Sequence, residues 1–340
     1  MAGRTQRTRL WAAAGLIGGW LVNGAVAAGG DPFQLSMPVA CEIGRDCFIQ
    51  SYVDVEPGPE VTDFACGSAT YEGHDGTDIR LVSAEAARAG TAVLAAAPGV
   101  VKGLRDGMAD IFADDKIRPA IAGRECGNGV VLDHGNGWET QYCHMRSGSV
   151  TVEKGARVER GTKLGEVGYS GLAQFAHLHM TVRNNGKPVD PFTGSGRNGE
   201  CLRDPSAAHG LWDDSFRSRF RYAPGEIIAA GFSGRVPKLE DAEADGAARV
   251  AHVLSPELVF FARFINLKAG DRLRFTVSGP GGFDVRSESE PLDRNKAHYL
   301  AFAGKKLKAD RWPVGRYEGI AQIVRAGMVV GEQKVDLTLE

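Results

Sequence analysis

The sequence has little net charge and lacks two common metal-binding motifs. It contains 40 Lys and Arg residues against 42 Asp and Glu residues, a formal charge of −2. No strong field therefore attracts nucleic acid, and we expect no nucleic-acid partner. The absence of any Cys-x-x-Cys pair argues against a cysteine-based zinc site. The absence of His-Glu-x-x-His excludes a helical zinc peptidase that uses a glutamate as its base.

Proline is scarce beside glycine, since the chain has 45 glycines and 15 prolines. The glycines show no three-residue period, which excludes a collagen-like chain, and they indicate a β-rich fold with many tight turns. Hydrophobic residues make up 43% of the chain, the content of an ordinary globular protein. A length of 340 residues allows two domains.

The N-terminus resembles an export signal. Three arginines precede an apolar run over residues 10–28, which ends in Ala-Val-Ala before the expected cut after Ala27. The alternative is a permanent anchor, which the glycines in the run disfavour. We therefore predict a signal peptide over residues 1–27, no stable membrane span after its removal, and an exported protein that is periplasmic or secreted.

The rest of the chain divides by its pattern of turns and short apolar runs. Short Val, Leu and Ile runs between glycines predict a mostly antiparallel sheet, with a surface loop at 103–125. A second series of strand-like runs, at 259–265, 272–277, 317–324 and 334–339, predicts an immunoglobulin-like β-sandwich. The predicted order is mainly β throughout: an N-terminal lead-in at 28–64, the antiparallel-sheet domain at 65–195, a linker at 196–225 and the β-sandwich domain at 226–340.

Six cysteines remain after the predicted cleavage, and an even number in an oxidising compartment favours disulfides. Residues 129–133 and 138–144 are strand-like around turn residues 134–137, so a hairpin brings Cys126 close to Cys143. A Cys41–Cys47 loop is a weaker inference. Cys66–Cys201 is the pair that remains.

Three short segments carry the candidate chemistry. His74 and Asp78 stand four residues apart around Asp-Gly-Thr, which interrupts any helix, and on a strand these two positions share a face. His177 and His179 lie in an apolar strand-like run, where alternation places both imidazoles on one face. His144 lies at the end of the hairpin's second strand.

These residue types suit a catalytic zinc site, which needs three protein ligands and one open position. His74, Asp78 and one histidine of the 177/179 pair would supply two nitrogens and one oxygen. The other histidine of the pair, with His144, could activate water and stabilise an oxyanion. The spacing leaves open which member of the pair binds the metal.

The remaining histidines outside the linker carry no recognisable motif. His134 lies in the hairpin turn, and we interpret it as structural. His252 and His298 are isolated in the second half, where we expect surface or core residues and no chemical constellation.

The order His-x-x-x-Asp, Tyr-x-His, His-x-His resembles the LytM/lysostaphin-type zinc endopeptidases of family M23. The stretch at 127–135 (GNGVVLDHG) and the Gly-x-x-Leu-Gly-x-Val-Gly turn that precedes Ser170-Gly171 resemble the same family. The resemblance covers about residues 65–195. It implies a two-layered antiparallel β fold with a groove over the zinc.

The resemblance also assigns roles to the candidate residues. It implies that His74, Asp78 and His179 bind one Zn²⁺ per chain, and that His144 and His177 are the catalytic histidines. The loop at 103–125 is longer than the family's minimal form, and we expect it to border the groove.

The implied function is hydrolysis of peptide bonds in peptidoglycan stem or cross-link peptides by an exported enzyme. Two alternatives stay open: a non-catalytic cell-wall factor that regulates amidases, and an exported protease that acts on protein substrates. For the β-sandwich we expect a role in positioning the enzyme or docking a wall or protein partner.

Overall fold

The structure is a computed structural model that describes residues 1–3, 32–197, 200–245 and 251–340. Apart from its first three residues, the predicted signal segment 1–27 lies outside the described residues. Within the described ranges no helix is both long enough and apolar enough to cross a membrane. Residues Phe33–Glu340 form one compact unit.

The first half is built on an antiparallel sheet of eight strands. The elements are β1 (Cys47–Ser51), β2 (Thr77–Leu81), α1 (Ala84–Arg88), β3 (Ala92–Leu94), β4 (Gly99–Arg105), a 3-10 turn (Arg118–Ile121), β5 (Asn128–Gly135), β6 (Trp138–Met145), β7 (Arg157–Val158), β8 (Lys163–Glu166), β9 (His177–Asn184) and β10 (Lys187–Val189). The strand order of the large sheet is β1-β2-β9-β6-β5-β4-β7, with β10 paired to β9. A small sheet of β3 and β8 shares the same core.

Alternation along β9 separates the chemical face of this sheet from its core face. Leu178, Met180 and Val182 are at most 1% exposed and pack into the main core. His177 and His179 point to the opposite face, as the sequence predicts. The predicted antiparallel sheet and the hairpin of β5 and β6 are confirmed.

The segments predicted as lead-in and linker take part in the first core. From the segment 28–64, β1 pairs with β2, and Cys47 and Ile49 are buried because their apolar side chains face the core. From the segment 196–225, Trp212 stacks on Phe216 with ring centroids 4.1 Å apart, and both are buried. The apolar side chains of both segments therefore belong to the core of the first half.

The second half consists of two antiparallel sheets that enclose a separate aromatic core. The elements from residue 205 onward are a 3-10 turn (Pro205–Ala207), α2 (Asp214–Arg217), β11 (Glu226–Ser233), α3 (Leu239–Asp245), β12 (Glu257–Leu267), β13 (Arg272–Gly279), a 3-10 turn (Pro280–Gly282), β14 (Phe283–Glu288), β15 (Lys296–Lys306), β16 (Gly315–Arg325) and β17 (Met328–Leu339). One sheet has the order β11-β12-β15 and the other the order β14-β13-β16-β17. The predicted strand runs lie within β12, β13, β16 and β17, and immunoglobulin-like topology stays a prediction.

All three predicted cysteine pairs are disulfides in the structure: Cys41–Cys47, Cys66–Cys201 and Cys126–Cys143. The third joins the loop before β5 to β6. The second joins the segment before β2 to the segment predicted as a linker, which ties that segment to the first half.

Candidate active site

Three predicted ligand residues meet where β2 pairs with β9. Asp78 on β2 lies directly opposite His179 on β9 in the antiparallel register. His74 precedes β2 and turns back toward the same point. The distances are 3.1 Å from His74 Nε2 to Asp78 Oδ1, 3.1 Å from His74 Nε2 to His179 Nδ1, and 2.8 Å from His179 Nδ1 to Asp78 Oδ1.

This triangle fits a zinc ion. In a tetrahedral site the zinc–nitrogen and zinc–oxygen distances are about 2.0–2.2 Å, so the ligand atoms lie roughly 3.3 Å from one another. The observed separations are a few tenths of an ångström shorter, a gap that small side-chain rotations close. Among the residues that the structure describes, the ligand atoms of these three side chains all lie within 4.8 Å of one another, close enough to hold a metal ion.

A second layer of hydrogen bonds orients the two histidine ligands. His74 Nδ1 donates to the carbonyl oxygen of Tyr52 at 2.6 Å, which leaves Nε2 free to bind a metal. His179 Nε2 lies 3.1 Å from Thr181 Oγ1 and 3.3 Å from Asp75 Oδ1, which leaves Nδ1 for the metal. Our sequence reasoning did not identify Asp75, although its position directly after His74 was a signal.

Gly76 allows this close arrangement. A Cβ atom at this position would lie 2.6 Å from His179 Nε2 and 2.8 Å from the carbonyl oxygen of Met180. Any larger residue would therefore push against the ligand ring, which explains the glycine inside the His-x-x-x-Asp segment.

The two other predicted histidines lie beside the triangle. His177 Nε2 is 3.7 Å from Asp78 Oδ1, and the rings of His144 and His177 have centroids 4.6 Å apart. His177 Nδ1 donates to the carbonyl oxygen of Phe175 at 2.9 Å, and His144 Nδ1 donates to that of Ser170 at 2.8 Å. In both rings Nε2 is therefore the nitrogen available to a substrate.

The site holds its groups in distinct protonation states. Burial would raise the pKa of Asp78, but the neighbouring His74 and His177 outweigh burial and hold that pKa well below its usual range. Burial would lower the pKa of His179, but hydrogen bonds to Asp75 and Asp78 raise it to about 9. Binding of a metal at His179 therefore displaces a proton.

Burial lowers the pKa of His144 well below its usual range, and the nearby His177 adds to this effect. Burial also lowers the pKa of His177, although the charge of Asp78 opposes the change. Both rings are therefore neutral near pH 7, the state in which Nε2 can accept a proton.

His144 occupies an unusual backbone position. Its φ of 61° lies in the left-handed region, which non-glycine residues seldom adopt. Its backbone nitrogen donates to the carbonyl oxygen of Cys126 at 2.8 Å, and the Cys126–Cys143 disulfide joins the same two segments. The disulfide therefore braces the strand immediately before the strained residue.

The remaining histidines are placed as follows. His134 lies away from the triangle and bonds to the carbonyl oxygen of Pro98 and to Thr140 Oγ1, at 2.6 and 2.7 Å. We expected no group of chemically active side chains in the second half, but His298 belongs to one. Its Nδ1 lies 3.1 Å from Glu243 Oε1, and both residues line a cavity that also reaches Asp78 and His177.

This cavity has a volume of about 660 Å³. A larger cavity of about 720 Å³ lies among Phe192, Trp212 and Phe216 and contains none of the predicted site residues. Of these two cavities, the one beside Asp78 and His177 adjoins the predicted site residues.

Residues 72–191 match the family described as Peptidase family M23. The chain is 39% identical over 64 residues to the peptidoglycan DD-endopeptidase ShyA of Vibrio cholerae, covering 19% of this chain and 14% of that protein. It is 34% identical over 126 residues to the DD-carboxypeptidase/endopeptidase Mpg of Neisseria meningitidis, covering 36% of this chain and 23% of that protein. The matches thus span less than a quarter of either relative.

Solved structures with a similar chain course include a zinc-containing peptidase from Vibrio cholerae, with 22% identity, a TM-score of 0.28, and coverage of 47% of this chain and 41% of that one. They also include the catalytic domain of the prophage-encoded M23 protein EnpA from Enterococcus faecalis. That likeness has 21% identity, a TM-score of 0.29, and coverage of 49% of this chain and 95% of that one.

Proposed function

Because residues 72–191 belong to peptidase family M23, we propose that this protein is an exported zinc endopeptidase that hydrolyses peptide bonds in peptidoglycan stem or cross-link peptides. The observation that carries the proposal is the triangle of His74 Nε2, Asp78 Oδ1 and His179 Nδ1, with no separation above 3.1 Å. These residues would hold one zinc ion per chain.

The chain's own residues divide the remaining work. When bound, zinc would lower the pKa of water and polarise the carbonyl group of the scissile peptide. His177 and His144 present neutral Nε2 atoms on one side of the triangle, so they can take a proton from the attacking water and pass it to the leaving amine. Once protonated, such a ring can also donate a hydrogen bond to the oxyanion.

The choice of peptidoglycan as substrate draws on the relatives. ShyA is named a peptidoglycan DD-endopeptidase and Mpg a DD-carboxypeptidase/endopeptidase. Export is supported by the apolar N-terminal run and by the three disulfides, which persist in oxidising compartments.

The test is digestion of purified sacculi by the chain from residue 28 onward, with bound zinc measured by elemental mass spectrometry. We expect about one zinc per chain and release of peptides whose masses identify the cleaved bond. The chelator 1,10-phenanthroline should stop the release, and added zinc should restore it.

Other outcomes distinguish the alternatives. Intact sacculi together with zinc-dependent cleavage of casein or elastin would indicate a protease of protein substrates. Bound zinc without cleavage of either substrate would indicate a non-catalytic wall factor.

A further inference from the structure

The face of β9 that carries His179 continues with two more polar side chains, Thr181 and Arg183. Every second residue of a strand shares a face, so the three side chains form one row. Asp75, in the segment before β2, contacts all three members of this row. We infer that Asp75, held in place by Arg183, is a positioning residue that orients His179 and tightens the binding of zinc. This inference rests on the proposed function.

Asp75 contacts the ring nitrogen of His179 that faces away from the metal triangle. Its Oδ1 lies 3.3 Å from His179 Nε2, and Thr181 Oγ1 lies 3.1 Å from the same nitrogen. Because Nδ1 is the atom that faces Asp78 and would bind the metal, the ring carries its proton on Nε2 when it acts as a ligand. The carboxylate and the hydroxyl share that N–H, which fixes the tautomer and the rotation of the ring.

The carboxylate of Asp75 is itself held from the other side. Arg183 Nη2 lies 3.5 Å from Asp75 Oδ2, the oxygen that does not face His179. Arg183 also donates from Nη1 to Gln141 Oε1 at 2.8 Å, and Gln141 lies on β6, the next strand of the sheet. The guanidinium is therefore tied to the sheet, and it presents the carboxylate to the ring.

Asp75 is not one of the metal ligands. Among the described residues, the side chains whose ligand atoms converge are His74, Asp78 and His179, whereas Asp75 lies beside the nitrogen that the metal does not use. A carboxylate behind a ligating imidazole makes the ring a stronger donor to the metal. The side chains of His179 and Asp75 are 13% and 38% exposed, so water competes with this contact less than it would at an open surface.

The experiment measures zinc affinity by competition with a chelator of known affinity, on the chain from residue 28 onward and without substrate. Asp75→Ala should weaken zinc binding about ten- to a hundredfold, the usual effect of removing such a partner of a metal ligand. Asp75→Asn should lose less, because its amide oxygen can still accept the N–H of His179 but carries no charge.

Glu72→Ala is the matched control. Glu72 carries the same charge three residues before Asp75, but it is exposed, and its side chain forms no hydrogen bond or ion pair in the described part of the chain. This variant should bind zinc as tightly as the wild type. Urea unfolding of the zinc-free proteins should give similar midpoints for all variants, because Asp75 acts on the ligand and does not hold the fold.

A double-mutant cycle tests the part played by Arg183. Arg183→Ala alone should weaken zinc binding, by less than Asp75→Ala does, because the carboxylate is no longer held in place. In the Asp75→Ala background the same change should have no further effect, since Arg183 acts through Asp75. Fully additive losses would overturn this role of Arg183. Wild-type affinity in Asp75→Ala, or an equal loss in Glu72→Ala, would overturn the whole inference.

The absence of substrate separates this inference from the proposed function. If zinc affinity depends on Asp75 as described but neither sacculi nor peptidoglycan fragments are cleaved, the proposed reaction fails and the positioning role stands. If the zinc-loaded protein cleaves sacculi and Asp75→Ala binds zinc as tightly as the wild type, the reverse holds.

Discussion

At the scale of single residues, His177 and His179 are two positions apart on β9 and have different surroundings. His179 Nδ1 faces Asp78 at 2.8 Å, whereas His177 lies one step away, beside His144. We expect His179→Ala to lose bound zinc and activity together, because two ligands alone hold the ion weakly. We expect His177→Ala to keep zinc while activity falls at least about a hundredfold, the scale of a lost acid–base group.

The measurement is zinc content by elemental mass spectrometry beside the rate of peptide release from sacculi. His134→Ala serves as the control, since His134 lies away from the metal triangle and should affect neither quantity directly. Normal turnover by zinc-loaded His177→Ala would contradict the role assigned to this histidine.

A second residue-scale prediction concerns Asp190, which is fully buried and has one carboxylate oxygen without a partner in the described structure. Burial raises its pKa to about 7. The folded state therefore binds the proton more tightly than the unfolded state does, where the pKa is near 3.9. This contribution to stability is complete below pH 4 and is lost as the pH rises through 7.

Asp190→Asn should remove that pH dependence. We expect the unfolding free energy of the wild type to fall relative to that of the variant between about pH 4 and 7, and the difference to level off above pH 7. The slope should be at most about 1.4 kcal/mol per pH unit, the limit for one proton. Urea unfolding at a series of pH values measures it, and a constant difference across the range would show that Asp190 is ionised throughout.

The site residues show what a sequence can predict at this scale. Short motifs predicted His74, Asp78 and the pair His177 and His179, because every second residue of a strand shares a face. The choice between the histidines of β9 required the resemblance to a family, since both share one face. Asp75 and the carbonyl groups that orient the rings depend on how loops fold over the sheet, which no local spacing encodes.

At the scale of elements, the Cys126–Cys143 disulfide links the segment before β5 to the strand that ends at His144. We expect the double variant Cys126→Ala/Cys143→Ala to lose about 3 kcal/mol of unfolding free energy, from the loop of this length that the disulfide closes. Activity should fall by more than the loss of folded protein accounts for, because the left-handed backbone at His144 is no longer held by the disulfide. The zinc content should stay unchanged.

The Cys41–Cys47 disulfide closes a shorter loop and serves as the comparison. The variant Cys41→Ala/Cys47→Ala should lose about 2 kcal/mol of unfolding free energy. That disulfide is not adjacent to a predicted site residue, so turnover at a temperature where both variants are folded should match the wild type. Denaturant unfolding and single-temperature kinetics decide the question. Full activity in the Cys126/Cys143 variant would show that the hairpin holds His144 without the disulfide.

Most elements of the sheet were predictable because alternation and turn residues are local signals. The turn between β16 and β17 is an example, since Ala326 and Gly327 have φ values of 50° and 82° and the glycine accepts this region readily. The strand β1 was missed because its five residues are too few to show a clear alternation, and all five are buried. Its pairing with β2 is a tertiary contact.

At the scale of the whole molecule, the two halves have separate cores that are joined by a buried ionic cluster, in which Glu243 contacts Arg80 and Arg263. The sequence separates Arg80 from Glu243 by 163 positions, and no motif connects them. The sequence therefore predicted two β-rich halves without showing that the second reaches the cavity beside Asp78 and His177.

Glu243→Ala should weaken the connection between the halves. Removing one member of a buried ion pair leaves the others uncompensated, which costs about 3 kcal/mol or more, and here both Arg80 and Arg263 lose their carboxylate. We expect the wild type to unfold in one transition and the variant to unfold earlier and in two. Asp336→Ala, which removes an exposed partner of Arg316, should leave the unfolding curve unchanged.

Catalysis provides an independent readout of the same connection. Residues of β15 and α3 line the cavity beside Asp78 and His177. If substrate binds in this cavity, loosening them should raise the substrate concentration needed for half-maximal release from soluble peptidoglycan fragments, while zinc stays bound to the triangle on the first sheet. Both effects are expected at temperatures below the first unfolding transition. A variant that unfolds in two steps yet binds fragments as tightly as the wild type would show that the second half stabilises the enzyme without contributing to substrate binding.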